Sequence, residues 1–214
     1  MAKPTAPLLS FDASGTLAKT MVFSRWRGIP YVRRYVIPAN PQTAAQQTTR
    51  NTFTMLTEFW KVAGPLLQAP WGLYATGRKF LDRNAFIGQN IALIRGEVDM
   101  ALFRASPGAR GGLPPVSISA APGVAEIIVT FVPPAAPTGW TIIAAQAVAI
   151  PDQDPAVAFV GPAVEDEDTV TPFDTVTLTG LDTVLHYVYG WMEWTKPDGT
   201  SAYSISLVDS ATPT

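Results

Sequence analysis

The ten residues Ser106-Pro107-Gly108-Ala109-Arg110-Gly111-Gly112-Leu113-Pro114-Pro115 divide the chain into two stretches of different chemistry. Before them, a hairpin-like pair of aromatic and β-branched runs leads into segments of helical period. After them, short β-type runs follow one another between turns. Charge divides at the same place. Residues 1–113 hold 14 of the 15 Lys/Arg and 5 of the 17 Asp/Glu, a formal charge of +9. Residues 114–214 set Lys196 alone against 12 acids, a charge of −11, and the whole-chain value of −2 hides the separation. Long-range charge governs encounter and partner choice rather than fold, so the two stretches call for different neighbours.

The expected organisation is therefore a basic α+β domain over 1–105, a β-hairpin plus two helices, joined by a Gly/Pro linker at 106–115 to an acidic β-sandwich over 116–214. The 214 residues suffice for two domains, and 47% apolar with 15% charged residues excludes wholesale disorder. Zero cysteines exclude disulfides, thiol nucleophiles and Cys-type zinc sites. No run of about 18 apolar residues crosses a bilayer, and Met1-Ala2-Lys3-Pro4 lacks the apolar core of a signal peptide. A chain made and folded in a cytoplasm, or added to an assembly there, is expected.

In the basic part, Met21–Trp26 and Ile29–Ile37 flank Arg27-Gly28, the two-residue spacing of a hairpin. Pro30 lacks an N–H, so the second run should begin on a sheet edge or pair only after that point. Arg33 and Arg34 fall on opposite faces of a strand, so only one of them joins Arg25 and Arg27 in a patch. Asn40-Pro41 reads as the entry of a helix over about 42–63, with Gly64-Pro65 as its stop. Its first half is polar, so only its second half should dock. Phe80, Leu81, Phe86, Ile87, Ile91 and Ile94 mark a second helix over about 78–95.

Val22-Phe23, Trp26, Gly28 and Tyr31-Val32-Arg33, then Pro38, Asn40-Pro41, Thr43, Gln46 and Arg50, then Asn84, Phe86-Ile87-Gly88 and Asn90, together resemble a pattern of small structural proteins of tailed bacteriophages and prophages. The resemblance covers roughly residues 15–95 and implies a virion component. Arg25, Trp26, Arg27, Tyr31, Arg33, Arg34 and Tyr35 mix arginines with aromatics, as docking faces do. Nucleic acid would also suit such a mixture. The scattered positives, the absence of a recognition motif and the tethered acidic half favour an acidic protein surface instead.

The acidic part reads as about seven short strands: 116–120, 125–132, 140–150, 157–160, 175–179, 184–194 and 201–208, with Lys196-Pro197-Asp198-Gly199 as a turn. That is a sandwich signature. Leu181 six residues before Tyr187 resembles the corner of fibronectin type III domains. Ile127–Pro134 resembles that family's second strand, with Phe131 where tryptophan is usual. The resemblance implies an immunoglobulin-like sandwich with the Tyr187 ring in its core.

Candidate chemistry is sparse. His186 is the only histidine, which excludes His-based triads and multi-His metal sites, and it reads as an outward or satisfied residue. Glu165-Asp166-Glu167-Asp168 offers carboxylates to calcium but has no glycine-bearing loop, and reads as a solvated loop. Gly108–Gly112 lacks the Lys-Ser/Thr of a phosphate loop. Of the strand tryptophans, Trp191 falls in phase with Tyr187 and Tyr189 and reads as core, leaving Trp194 as a surface anchor. No catalytic, cofactor or metal residue is expected. The expected protein is a non-enzymatic virion component, a capsid decoration or a neck or tail part, that self-associates or binds other virion subunits. The rival readings are a carbohydrate-binding adhesion module gripping host glycans through Trp194 and, third, a nucleic-acid-binding protein.

Overall fold

The computed structural model describes residues 3–4, 13–37, 39–95, 100–152 and 163–214. The expected strand at 157–160, together with Pro38, lies outside the described residues. Two compact units follow one another, Met1–Gln42 and Thr43–Thr214. The first holds six Lys/Arg and one Asp, a charge of +5, and the second nine Lys/Arg and 16 Asp/Glu, a charge of −7. The opposition of charge thus survives, with the division at 42/43 rather than at 106–115.

The first unit is an antiparallel sheet of β1 (Lys3–Pro4), β2 (Ala13–Leu17), β3 (Met21–Trp26) and β4 (Ile29–Arg34), in that order. In the second, three helices precede the strands: α1 (Ala44–Val62), α2 (Pro65–Ala75) and α3 (Asp82–Ile94). The cap of α1 is Thr43, whose hydroxyl accepts from Gln46 N–H, rather than Asn40. Its buried apolar residues, Met55, Leu56, Phe59 and Trp60, all lie in the second half, with Thr52 buried just before the midpoint. Gly64-Pro65 does end α1, but Pro65 also opens α2, a helix the sequence reading passed over. The third helix begins at Asp82, after a left-handed Gly77, not at Arg78.

The strands are β5 (Pro107–Ala109), β6 (Ser117–Gly123), β7 (Glu126–Val132), β8 (Thr141–Pro151), β9 (Val164–Asp168), β10 (Thr175–Thr179), β11 (His186–Thr195), β12 (Ser201–Ile205) and β13 (Leu207–Ala211). One sheet runs β10-β7-β6; the other runs β5-β12-β11-β8-β9, with β13 also on β11. These form an α+β protein containing a β-sandwich, with the helices laid on the outer face of the larger sheet. One core joins Met55, Phe59, Trp71 and Phe86 of the helices to Val148, Ile150, Tyr189 and Trp191. The other joins Ile127, Val129, Phe131 and Leu178 of the small sheet to Val188, Met192 and Trp194.

The expected linker is accordingly part of the fold. Pro107 and Ala109 pair with Ile205 and Tyr203, and Ser106 Oγ donates to the Ser204 carbonyl. Gly112 serves closeness rather than flexibility, since a Cβ there would lie 2.5 Å from the Tyr203 carbonyl carbon. The acidic run 165–168 is likewise a strand, not a loop. It ends the larger sheet, beside β8. Leu67 N–H donates to Glu165 Oε2 at 2.9 Å, so this carboxylate caps α2, whose own N-cap, Gly64, has no side chain to do so. A Cβ on Gly64 would stand 1.5 Å from Glu165 Oε1.

Trp191 and Trp194 lie on opposite faces of β11, as alternation requires, yet both are fully buried. Expecting one of them at the surface presumed a sheet covered on one side. Here both sides are covered, so Trp194 is no surface anchor: its indole N–H donates to the Leu113 carbonyl at 2.9 Å and its ring meets Trp140 edge-on. The half-buried Tyr187 packs against the helix-side core, across the sheet from Leu181, so its ring is not in the sandwich core. His186 is buried with Nδ1 2.8 Å from the Val184 carbonyl oxygen, a satisfied residue.

Trp194→Ala should cost about 3–5 kcal/mol of stability, as a large core side chain does. Chemical denaturation followed by circular dichroism measures it; a loss under about 1 kcal/mol would contradict a buried Trp194.

Candidate docking surface

The Arg27-Gly28 turn joins β3 to β4 with both central residues at positive φ, +49° and +83°. This is the sign pattern of a type I′ turn, whose twist suits a tight hairpin. Register then fixes the faces. Trp26 pairs with Ile29, Ser24 with Tyr31 and Val22 with Arg33, all on one face. Arg25 pairs with Pro30, Phe23 with Val32 and Met21 with Arg34, all on the other.

Of the predicted docking residues, the structure thus brings Trp26, Tyr31 and Arg33 together with Ile29, and sets Arg25 and Arg34 on the reverse. Arg27 stands at the turn, its guanidinium 5.0 Å from the Trp26 ring centre, a contact worth about 0.5–1 kcal/mol when exposed. Tyr35 lies just past β4 and its N–H donates to the Thr20 carbonyl at 2.7 Å. Trp194 belongs to the other unit's core and takes no part.

The surface is apolar as well as basic. Trp26 is 64% exposed and Ile29 65%; with Tyr31 they line a shallow hollow. Beyond the strand, Val36 and Ile37 are exposed too. Phe23 is the one buried apolar side chain among the unit's described residues. Sheets of this size ordinarily need a packed face to be stable. No Asp or Glu occurs among these described residues, whereas Lys19, Arg25, Arg27, Arg33 and Arg34 do.

The edge of β4 has its own chemistry. In a two-residue hairpin the residues flanking the turn, Trp26 and Ile29, form a mutually hydrogen-bonded pair. Alternation from there turns the backbone groups of Pro30, Val32 and Arg34 away from β3. Pro30 has no N–H to leave unsatisfied there, which explains a proline within a strand.

A second polar constellation escaped the sequence reading. Gln146 is buried on the helix side of β8. Its Nε2 donates to Glu167 at 2.9 Å and to Glu193 at 3.2 Å, and its Oε1 accepts from Trp191 Nε1 at 2.7 Å. Burial pushes the Glu193 carboxyl above its ordinary range; hydrogen bonds from Tyr203, Gln146 and Ser201 oppose this, and the Glu167 charge adds to it. Burial, then the Glu193 charge, hold the Tyr203 phenol far up in turn. The signal available was a glutamine inside the otherwise apolar run Ala144–Ile150. Every polar atom named here is engaged by another, so the group ties strands together. Among the described residues, no group of three or more His, Cys, Asp or Glu is placed to hold a metal ion, and no helix is long and apolar enough to cross a membrane.

No protein-family model and no curated protein matches the chain. A solved structure from a computer-based redesign of a β-sandwich protein is similar to it at 19% identity, over 47% of this chain and 88% of that one, with a TM-score of 0.33. At that score the likeness carries no argument.

Two outcomes follow from this geometry. Trp26→Ala should cost no more than about 1 kcal/mol, because an exposed side chain away from a core is lost together with its contact to Arg27; calorimetry measures it. Glu193 has a folded pKa raised above its ordinary 4.5, so its contribution to stability is fully present below that value and is lost as pH rises through the raised one. Glu193→Gln should flatten this part of the pH–stability curve, as denaturation across mildly acidic to neutral pH would reveal; an unchanged curve would show that another group governs it.

Proposed function

We propose that the chain is a non-enzymatic structural subunit of a larger particle, of the tailed-bacteriophage type, whose basic N-terminal sheet docks on an acidic protein surface. One observation carries the reading: a small sheet exposes Trp26, Ile29 and Tyr31 beside Arg27 and Arg33, buries a single apolar side chain of its described residues, and has no acid among them. Aromatic and arginine side chains at the centre of a patch supply most of the energy of protein interfaces. A surface carrying carboxylates would complement the cations and steer the encounter.

The acidic unit, with the sandwich inside it, would then be the displayed or neighbour-facing part. Its narrower placement among immunoglobulin-like, fibronectin-type domains rests on Leu181 in the inter-sheet core and on the 127–134 strand, while Tyr187 departs from that pattern. Such a subunit is built in the host bacterial cytoplasm and ends in the virion, on the capsid surface or in the neck or tail. The adhesion reading loses its binding residue, because Trp194 is enclosed.

The test is co-sedimentation of tagged chain with particles from a lysate of cells producing the virus that encodes it. Wild type should pellet with the particles, and Trp26→Ala/Arg33→Glu should stay in the supernatant. Equal retention of the variant, or no pelleting of wild type, would remove the hairpin from the attachment.

A further inference from the structure

We propose that the open edge of β4 accepts, as its next strand, the acidic edge strand β9 of a second copy of this chain. The inference deepens the docking reading above, on which it rests, by naming an occupant for that surface. Both strands end their sheets among the described residues, β4 after β3 and β9 after β8. They are of similar length, six residues at Ile29–Arg34 and five at Val164–Asp168. The Pro30 carbonyl and the N–H and carbonyl groups of Val32 and Arg34 already point off the sheet, an arrangement that can receive an added strand.

Charge selects β9 as the occupant. Arg33 and Arg34 put one cation on each face of β4 near its end. On β9, Glu165 and Glu167 lie on the helix-side face and Asp166 and Asp168 on the other, so the incoming strand brings anions to both faces. Opposite charges on neighbouring strands stabilise a pair, and like charges destabilise it. Pairing β4 with another β4 would instead set arginines beside arginines. The units that carry the two strands have charges of +5 and −7, which favours their encounter between copies at low salt. Because the contact joins unlike surfaces, each copy keeps one of each strand for a further neighbour, and the result is a ring or an open row.

Sedimentation velocity on the purified full chain, across a concentration series and at two salt levels, tests this. The mean mass should rise with concentration and fall with added sodium chloride. Arg33→Glu/Arg34→Glu and Asp166→Lys/Asp168→Lys should each weaken self-association by about tenfold or more, because the first reverses the cation on each face of β4 and the second sets two cations on the face of β9 that meets one of those arginines. Mixed together, the two variants should associate again, since each then supplies the charge that the other lacks; this recovery also shows that both are folded. A wild-type chain that is monomeric at every concentration, an oligomer indifferent to both reversals, or a mixture that fails to recover would overturn the proposal. No particle enters this measurement, so it can fail while the co-sedimentation result stands.

Discussion

The pairing of β8 with β11 is the constraint on which the second unit depends. Ten residue pairs join these strands, and every residue from Ala144 to Ile150 is buried. A ladder with apolar side chains on both faces must be covered twice, because either face left in water would forfeit about 25 cal/mol for each Å². The helices cover the face of Tyr189 and Trp191; β6, β7 and β10 cover the face of Val188, Met192 and Trp194. Side-chain size sets how near each layer comes. Alanines at 145, 147 and 149 line the sandwich side, and at Gly190 the Phe131 ring occupies the space where a Cβ would be 2.6 Å from it. A larger residue there would force the two sheets apart.

Polar groups then fix how the layers register. Glu165 reaches from the last strand to the first turn of α2. Trp71 of α2 donates its indole N–H to the Ala105 carbonyl at 2.7 Å. Asn90 of α3 bonds both the N–H and the carbonyl of Arg104, as well as Phe86. Each bond satisfies a group that burial would otherwise leave costly, and those to Arg104 and Ala105 tie the helices to the chain leading into β5. These ties explain why the glycine- and proline-rich stretch after Arg104 belongs to the fold: its backbone is claimed from both sides.

The first unit is built of similar residues to opposite effect. Aromatic and β-branched side chains alternate along β3 and β4 as they do along β11, but no second layer covers them among the unit's described residues. Its hairpin is well specified by the Arg27-Gly28 turn and the edge position of Pro30. Among its described residues, Phe23 alone is a buried apolar side chain. Exposed apolar surface set among arginines is, in general, a composition enriched at protein interfaces.

Local physics was legible in the residues themselves. The hairpin, the polar first half and apolar second half of α1, most strands of the sandwich and the separation of charge all follow from side-chain period, turn chemistry and counting. Tertiary structure decided what depends on the number of covering layers. Trp194 alternates out of phase with Trp191, and a local pattern reads one of them as exposed, whereas helices packed on a sandwich bury both. The run Glu165–Asp168 looks solvated because four acids stand together, yet backbone pairing with β8 makes it a strand and helix α2 takes one of its carboxylates. Periodicity reports which way a side chain points; only the packed chain determines whether water or another layer lies in that direction.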